Sequence, residues 1–124
     1  MKTTRQKVGQ WGESLAAKYL REHGFTILAQ NWRHGHGELD IIAEKDQMLT
    51  FVEVRTRRNE KFGVGEESIS HSKRLKLIET AQAYVQLHLP LAAEVKWQID
   101  VIVVKLHANN AIESLAHYPA AISA

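Results

Sequence analysis

Gly37-Glu38-Leu39-Asp40-Ile41-Ile42 and, after a short polar turn, Phe51-Val52-Glu53-Val54-Arg55-Thr56-Arg57 decide how this chain is read. Both segments are apolar enough to lie in a core, and each carries a carboxylate in its middle. A buried carboxylate is costly unless it is hydrogen-bonded, paired or bound to a metal. Side chains alternate faces along a strand, so Glu53 and Arg55 point one way and Val52 and Val54 the other. By the same rule Asp40 shares its face with Glu38 and Ile42. Pairing of Glu38–Ala43 with Met48–Arg55 across the turn Glu44-Lys45-Asp46-Gln47 makes a hairpin, and it brings Asp40 and Glu53 together at one end. Two acidic oxygen ligands beside a cation are what magnesium-dependent phosphodiester chemistry requires.

The chain has 124 residues, which suits one domain spanning 1–124 with a single core. Its 44% hydrophobic and 24% charged residues are ordinary for a globular protein. The absence of cysteine excludes disulfides and thiolate zinc sites, and it fits a reducing compartment. No apolar run approaches the length of a membrane span, and no signal-like core follows the basic start, so a cytoplasmic protein is expected. The net charge of +2 leans only mildly toward polyanions. The positive residues nevertheless cluster at the N-terminus, at Arg55-Thr56-Arg57-Arg58 and at Lys73-Arg74-Leu75-Lys76. Such clusters are either solvated surface or a polyanion contact.

Outward from the hairpin, Thr4 to His23 has helical spacing of Val8, Trp11, Leu15 and Tyr19, with Thr3 or Thr4 as cap and Gly24 as terminator. Gly9, Gly12, Ala16 and Ala17 leave part of that helix smooth. Glu13 lies at the edge of its buried stripe, either snorkelling to water or reaching the acidic cluster as a third carboxylate. A short extended run, Phe25–Ala29, precedes Asn31-Trp32-Arg33 and the turn His34-Gly35-His36-Gly37. The two histidines are open to a metal role, to phosphate contact or to plain loop polarity. Residues 59–67 read as a glycine-rich loop, either a cover for a substrate or a connector. Ser68 or Ser70 caps a second helix running to about His88, with Leu75, Leu77, Ile78, Ala81, Tyr84 and Val85 as its packing stripe, and Pro90 ends it. Lys73, Arg74 and Lys76 near its start invite an external anion. Trp97–Val104 is the strongest strand signal, with Asp100 in a structural role beside Arg55 or Arg57. Residues 111–118 look like an edge strand and 119–124 like a flexible tail. This order gives α/β architecture with a central mixed sheet flanked by helices.

Asp40, about a dozen residues, then Glu53-Val54-Arg55 resembles the PD-(D/E)xK nuclease signature. The likeness extends over Gly12-Glu13, Gly24–Leu28, Asn31-Trp32-Arg33, Gly37–Ile42, Phe51–Arg57, Ser68-Ile69, Lys73 and Asp100-Val101-Ile102. On that ordered set, covering almost the whole chain, the sequence is identified as a member of the bacterial YraN family. That family is placed in the restriction-endonuclease-like fold and is similar to Holliday-junction resolvases. The resemblance implies that Asp40, Glu53 and the carbonyl of Val54 hold Mg²⁺, with Mn²⁺ as a substitute, and that Glu13 supports the metal or its waters. It implies DNA as partner, branched or damaged, with Arg57, Arg58, Lys73 and Lys76 on the flanking backbone. It is also compatible with a homodimer, because cutting two strands takes two sites. The third signature residue is normally lysine, and here it is Arg55. Arginine stays protonated and cannot act as a base, although it can orient the scissile phosphate. Three readings follow: a metal-dependent endonuclease; a nucleic-acid-binding module that kept the fold and lost catalysis; and a buried ion network of Asp40, Glu53, Asp100, Arg55 and Arg57.

Overall fold

The structure, a computed structural model, describes residues 2–58, 69–89 and 94–123. Helix α1 (Thr4–Glu22) is followed by strands β1 (Thr26–His34), β2 (Gly37–Lys45) and β3 (Met48–Arg58), helix α2 (His71–His88), and strands β4 (Trp97–Leu106) and β5 (Ile112–Ile122). The strands form one sheet in the order β1-β2-β3-β4-β5. All pairs are antiparallel except β3 and β4, which run parallel. A parallel pair needs a crossover, and α2 lies within it. The result is the α/β architecture read from the sequence, a central mixed sheet flanked by helices.

Alternation along the strands divides the core in two. One layer packs Leu39, Ile42, Phe51 and Ile99 against Leu77 and Ala81 of α2. The other packs Ile41, Ala43, Val52, Ile102 and Val104 against Ala16, Ala17 and Leu20 of α1. Two glycines set how close the helices come. A Cβ on Gly12 would strike Thr56 of β3, and a Cβ on Gly37 would strike Thr80 of α2. Thr3 and Gln6 cap α1 with a reciprocal pair of bonds, and Ser70 caps α2 by accepting from the Lys73 N–H.

Several boundaries differ from the sequence reading. The β2–β3 turn is two residues, not four: Asp46 and Gln47 both take positive φ, 51° and 66°, the geometry whose twist suits a hairpin. Strand β1 continues through Asn31-Trp32-Arg33, because pairing with Gly37–Leu39 carries it to the turn. The expected tail is not a tail as far as residue 122: β5 runs to Ile122, which is buried against Ile99. On α2, Leu75 is 50% exposed and drops out of the packing stripe, which keeps Leu77, Ile78, Ala81, Tyr84 and Val85 and adds the buried Thr80. Ile42 does not share the face of Asp40, for a reason that belongs to the site. The glycine-rich loop at 59–67, the alternative cap Ser68, and Pro90 lie outside the described residues.

Candidate active site

The β2–β3 ladder runs from Lys45↔Met48 to Ile41↔Val52 and stops there. Beyond it the strands part, and the Asp40 side chain takes the place of a backbone partner. The Val54 N–H donates to Asp40 Oδ2 at 2.8 Å. Opposite this point on β1, between Gln30↔Ile41 and Trp32↔Leu39, Asn31 takes φ 53°. The two-residue alternation of β2 slips here. Leu39 and Ile42 join the α2 layer while Ile41 and Ala43 join the α1 layer. Asp40 therefore faces α1 together with Ile41, and not with Ile42.

Glu53 approaches from the other face. Its neighbours Val52 and Val54 pack on the α1 side, so Glu53 turns toward the start of α2. It is 6% exposed. Arg55 Nη1 and Lys73 Nζ each lie 3.7 Å from Glu53 Oε2. The parting of the strands lets the two acids meet from opposite faces. Glu13 completes the group, because the close contact of Gly12 on Thr56 holds α1 down over β3.

Crowding of three acids has an electrostatic result. Burial first, then the Glu53 charge, pushes the Asp40 carboxyl up to about 7, against the opposing bond from the Val54 N–H. Glu13 is also pushed up to about 7, first by burial and then by the charges of Asp40 and Glu38, with a bond from the Asn31 side chain opposing. Glu38 is held at the edge by Arg33, 3.1 Å away.

These groups line one open cleft of about 720 Å³. Glu13, Asp40, Glu53, Val54, Arg55, Arg57, Arg58 and Lys73 all border it. Lys76 does not. It lies one helical turn further along α2, pairs with Glu79 at 3.7 Å, and borders a separate hollow with His34 and His36. Asp100 is not a partner of Arg55 or Arg57 either. It pairs with Val52 across the parallel ladder, three rungs from the Val103 that faces Arg55. Its carboxylate meets His117 Nε2 at 2.7 Å, and accepts from the Gln98 amide and the Ala120 N–H at 2.8 Å each. Asp100 thus has its own partners on β4 and β5, while Arg55 pairs with Glu53. Arg5 and Asn31 escaped the sequence reading. Arg5 borders the cleft from the start of α1; the basic N-terminus was its only signal. Asn31 supports Glu13, and the tolerance of asparagine for positive φ was the available clue.

The donor set fits a hard divalent cation. A cation would offset the mutual repulsion of Asp40, Glu53 and Glu13. Among the described residues, no three His, Asp or Glu side chains converge tightly enough to hold an ion alone. Magnesium does not need that: it is usually bound by one or two carboxylates and keeps several waters.

Comparison with known proteins agrees with this sequence pattern. The profile of the uncharacterised protein family UPF0102 matches residues 12–104. A UPF0102 protein of Roseiflexus castenholzii is 40% identical over 118 residues, 95% of this chain and 94% of the relative. Another, from Caldicellulosiruptor bescii, is 36% identical over 110 residues, 89% of this chain and 92% of the relative. Among solved structures, Pyrococcus furiosus SfsA in complex with Ca²⁺ matches with a TM-score of 0.41 and 13% identity. That match covers 98% of this chain, which spans 65% of the SfsA chain. No helix among the described residues is long and apolar enough to cross a membrane.

Proposed function

This chain belongs to the protein family UPF0102, and on that premise we propose that it is a divalent-metal-dependent endonuclease hydrolysing phosphodiester bonds in DNA, of the branched or damaged kind. The observation that carries the reading is the meeting of Asp40 and Glu53 where β2 and β3 part, with Glu13 above and Arg55 and Lys73 beside them. Asp40, Glu53 and the Val54 carbonyl would hold Mg²⁺, for which Mn²⁺ can substitute. Bound there, the ion supplies Lewis acidity and neutralises phosphate charge. Arg55 orients the attacked phosphate and stays charged throughout. Glu13, on the same cleft, would support the metal or its waters. Arg57, Arg58 and Lys73 along the same cleft hold the flanking backbone without reading sequence.

One observation favours a second reading. Arg55 stands where a lysine could lose its proton, so the cleft can also be read as a nucleic-acid-binding surface without catalysis. A cleavage gel separates the two. Labelled single-stranded, duplex, flap and four-way-junction DNA are incubated with protein in Mg²⁺, Mn²⁺ or EDTA, beside Asp40→Ala and Glu53→Ala. The nuclease reading expects metal-dependent cutting lost in both variants. Retained gel shifts with no cutting under any metal would leave the binding module.

A further inference from the structure

A second hollow, of about 220 Å³, opens between the β1–β2 turn and α2. His34, His36, Lys76 and Thr80 line it with the turn glycines and Glu79. His34 is exposed and lies parallel over Trp32, with ring centroids 5.7 Å and planes 6° apart. Trp32 is braced in turn by Tyr84, edge-on at 5.2 Å. His34 is thus an aromatic face propped from beneath by the α2 layer. Lys76 stands three residues after Lys73, so both project from one side of α2. Lys73 borders the cleft and Lys76 borders the hollow.

We propose that this hollow receives one unpaired nucleobase next to the scissile phosphate, stacked on His34 with the adjoining phosphate at Lys76, so that the protein selects DNA carrying a single-stranded segment at the cut. The inference rests on the nuclease reading of the cleft and narrows its substrate. Two observations and one property of duplex DNA converge on it. Pockets for drug-sized ligands run about 300–1,000 Å³, so a hollow of this size suits one small planar group. A flat aromatic face beside a cation is the arrangement by which single strands are held, since every base offers a π-face. A paired base is buried in its own stack and reaches such a hollow only when displaced. Gly37 keeps the turn against α2, because a side chain there would meet Thr80.

The test is fluorescence anisotropy in EDTA at fixed salt, with single-stranded, overhang and blunt duplex DNA. Wild type is compared with His34→Ala, His34→Phe and Lys76→Gln. The expected result is a ~10-fold loss of affinity for single strands and overhangs in His34→Ala and Lys76→Gln, with recovery in His34→Phe and blunt-duplex affinity unchanged. Equal losses on every DNA, or no loss on any, would overturn the proposal. Cleavage in Mg²⁺ keeps the two readings apart. Metal-dependent cutting by wild type together with unchanged single-strand binding by His34→Ala and Lys76→Gln sinks the subsite alone. A wild type that neither binds nor cuts DNA sinks both.

Discussion

Asp40 shows how a site residue can work against the fold that holds it. Its carboxyl ionises near 3.8 in an unfolded chain and near 7 in the folded one, because burial and then Glu53 disfavour its charge. Below pH 4 both states carry the proton and no penalty arises. Between pH 4 and 7 the unfolded chain gives up the proton first, so stability falls as pH rises. Above 7 the full penalty remains. Asparagine has the same shape, cannot ionise, and still accepts from the Val54 N–H. Asp40→Asn is therefore expected to melt higher than wild type at pH 8 and close to it at pH 4. A domain of this size shifts by roughly 3–5 °C per kcal/mol, and at least one such step is expected at pH 8. Adding Mg²⁺ at pH 8 is expected to raise the wild-type midpoint by mass action and to leave the variant unmoved. A variant that melts at or below wild type at pH 8 would contradict the crowding account of the cleft.

The contact between α1 and β3 makes the corresponding point for an element. Helix propensity alone says that Gly12→Ala should stabilise α1, by about 1 kcal/mol. The packing says the reverse, because the added methyl meets Thr56, and overpacking of this kind costs about 1–3 kcal/mol. Gly12→Ala is expected to lower the urea midpoint, and Gly12→Ala with Thr56→Ala to restore it. Lack of recovery in the double variant would place the cost elsewhere. The same contrast marks what was legible in the chain. The periods of apolar residues gave both helices and the strands, and the mid-strand acids gave Asp40 and Glu53. What stayed hidden depended on backbone angles and neighbours. The slip of alternation at Asp40 lies opposite Asn31 at φ 53°, which no hydrophobic pattern reports. Lys73 and Lys76 sit in one basic run, and only the position of α2 beside the β1–β2 turn separates cleft from hollow. Two partners of Asp100, His117 and Ala120, lie on β5, where the register shifts between Ile99 and Val101. That shift turns Ala120, at φ 49°, so that its N–H meets the carboxylate.

Over the whole molecule, Asp100 fastens three elements and the basic residues define one path. His117 links Asp100 on β4 to Tyr19 on α1, with the Tyr19 hydroxyl 3.0 Å from His117 Nδ1. Asp100→Ala removes a partner from His117, Gln98 and Ala120 at once. The expected loss is roughly 3 kcal/mol by denaturant unfolding, since breaking a buried pair leaves its remaining members unsatisfied. A loss below about 1 kcal/mol would mean that β5 holds without this clasp. The charge path is tested by salt. The sum of 16 basic and 14 acidic residues gives only +2, too small to pull the whole chain onto DNA. Arg5, Arg55, Arg57, Arg58 and Lys73 nevertheless border one cleft with the acids at its centre. Five phosphate contacts release about five condensed counterions, so the logarithm of duplex affinity should fall against the logarithm of salt with a slope of about −4.5. Arg5→Gln and Arg58→Gln should each flatten that slope by about one unit, and should weaken binding about equally on unrelated sequences. Lys105, which faces Ser114 on the far β4–β5 ladder and does not border the cleft, serves as the control. Lys105→Gln is expected to leave the slope unchanged. A slope insensitive to Arg5 and Arg58, or equally sensitive to Lys105, would move the DNA path off this cleft.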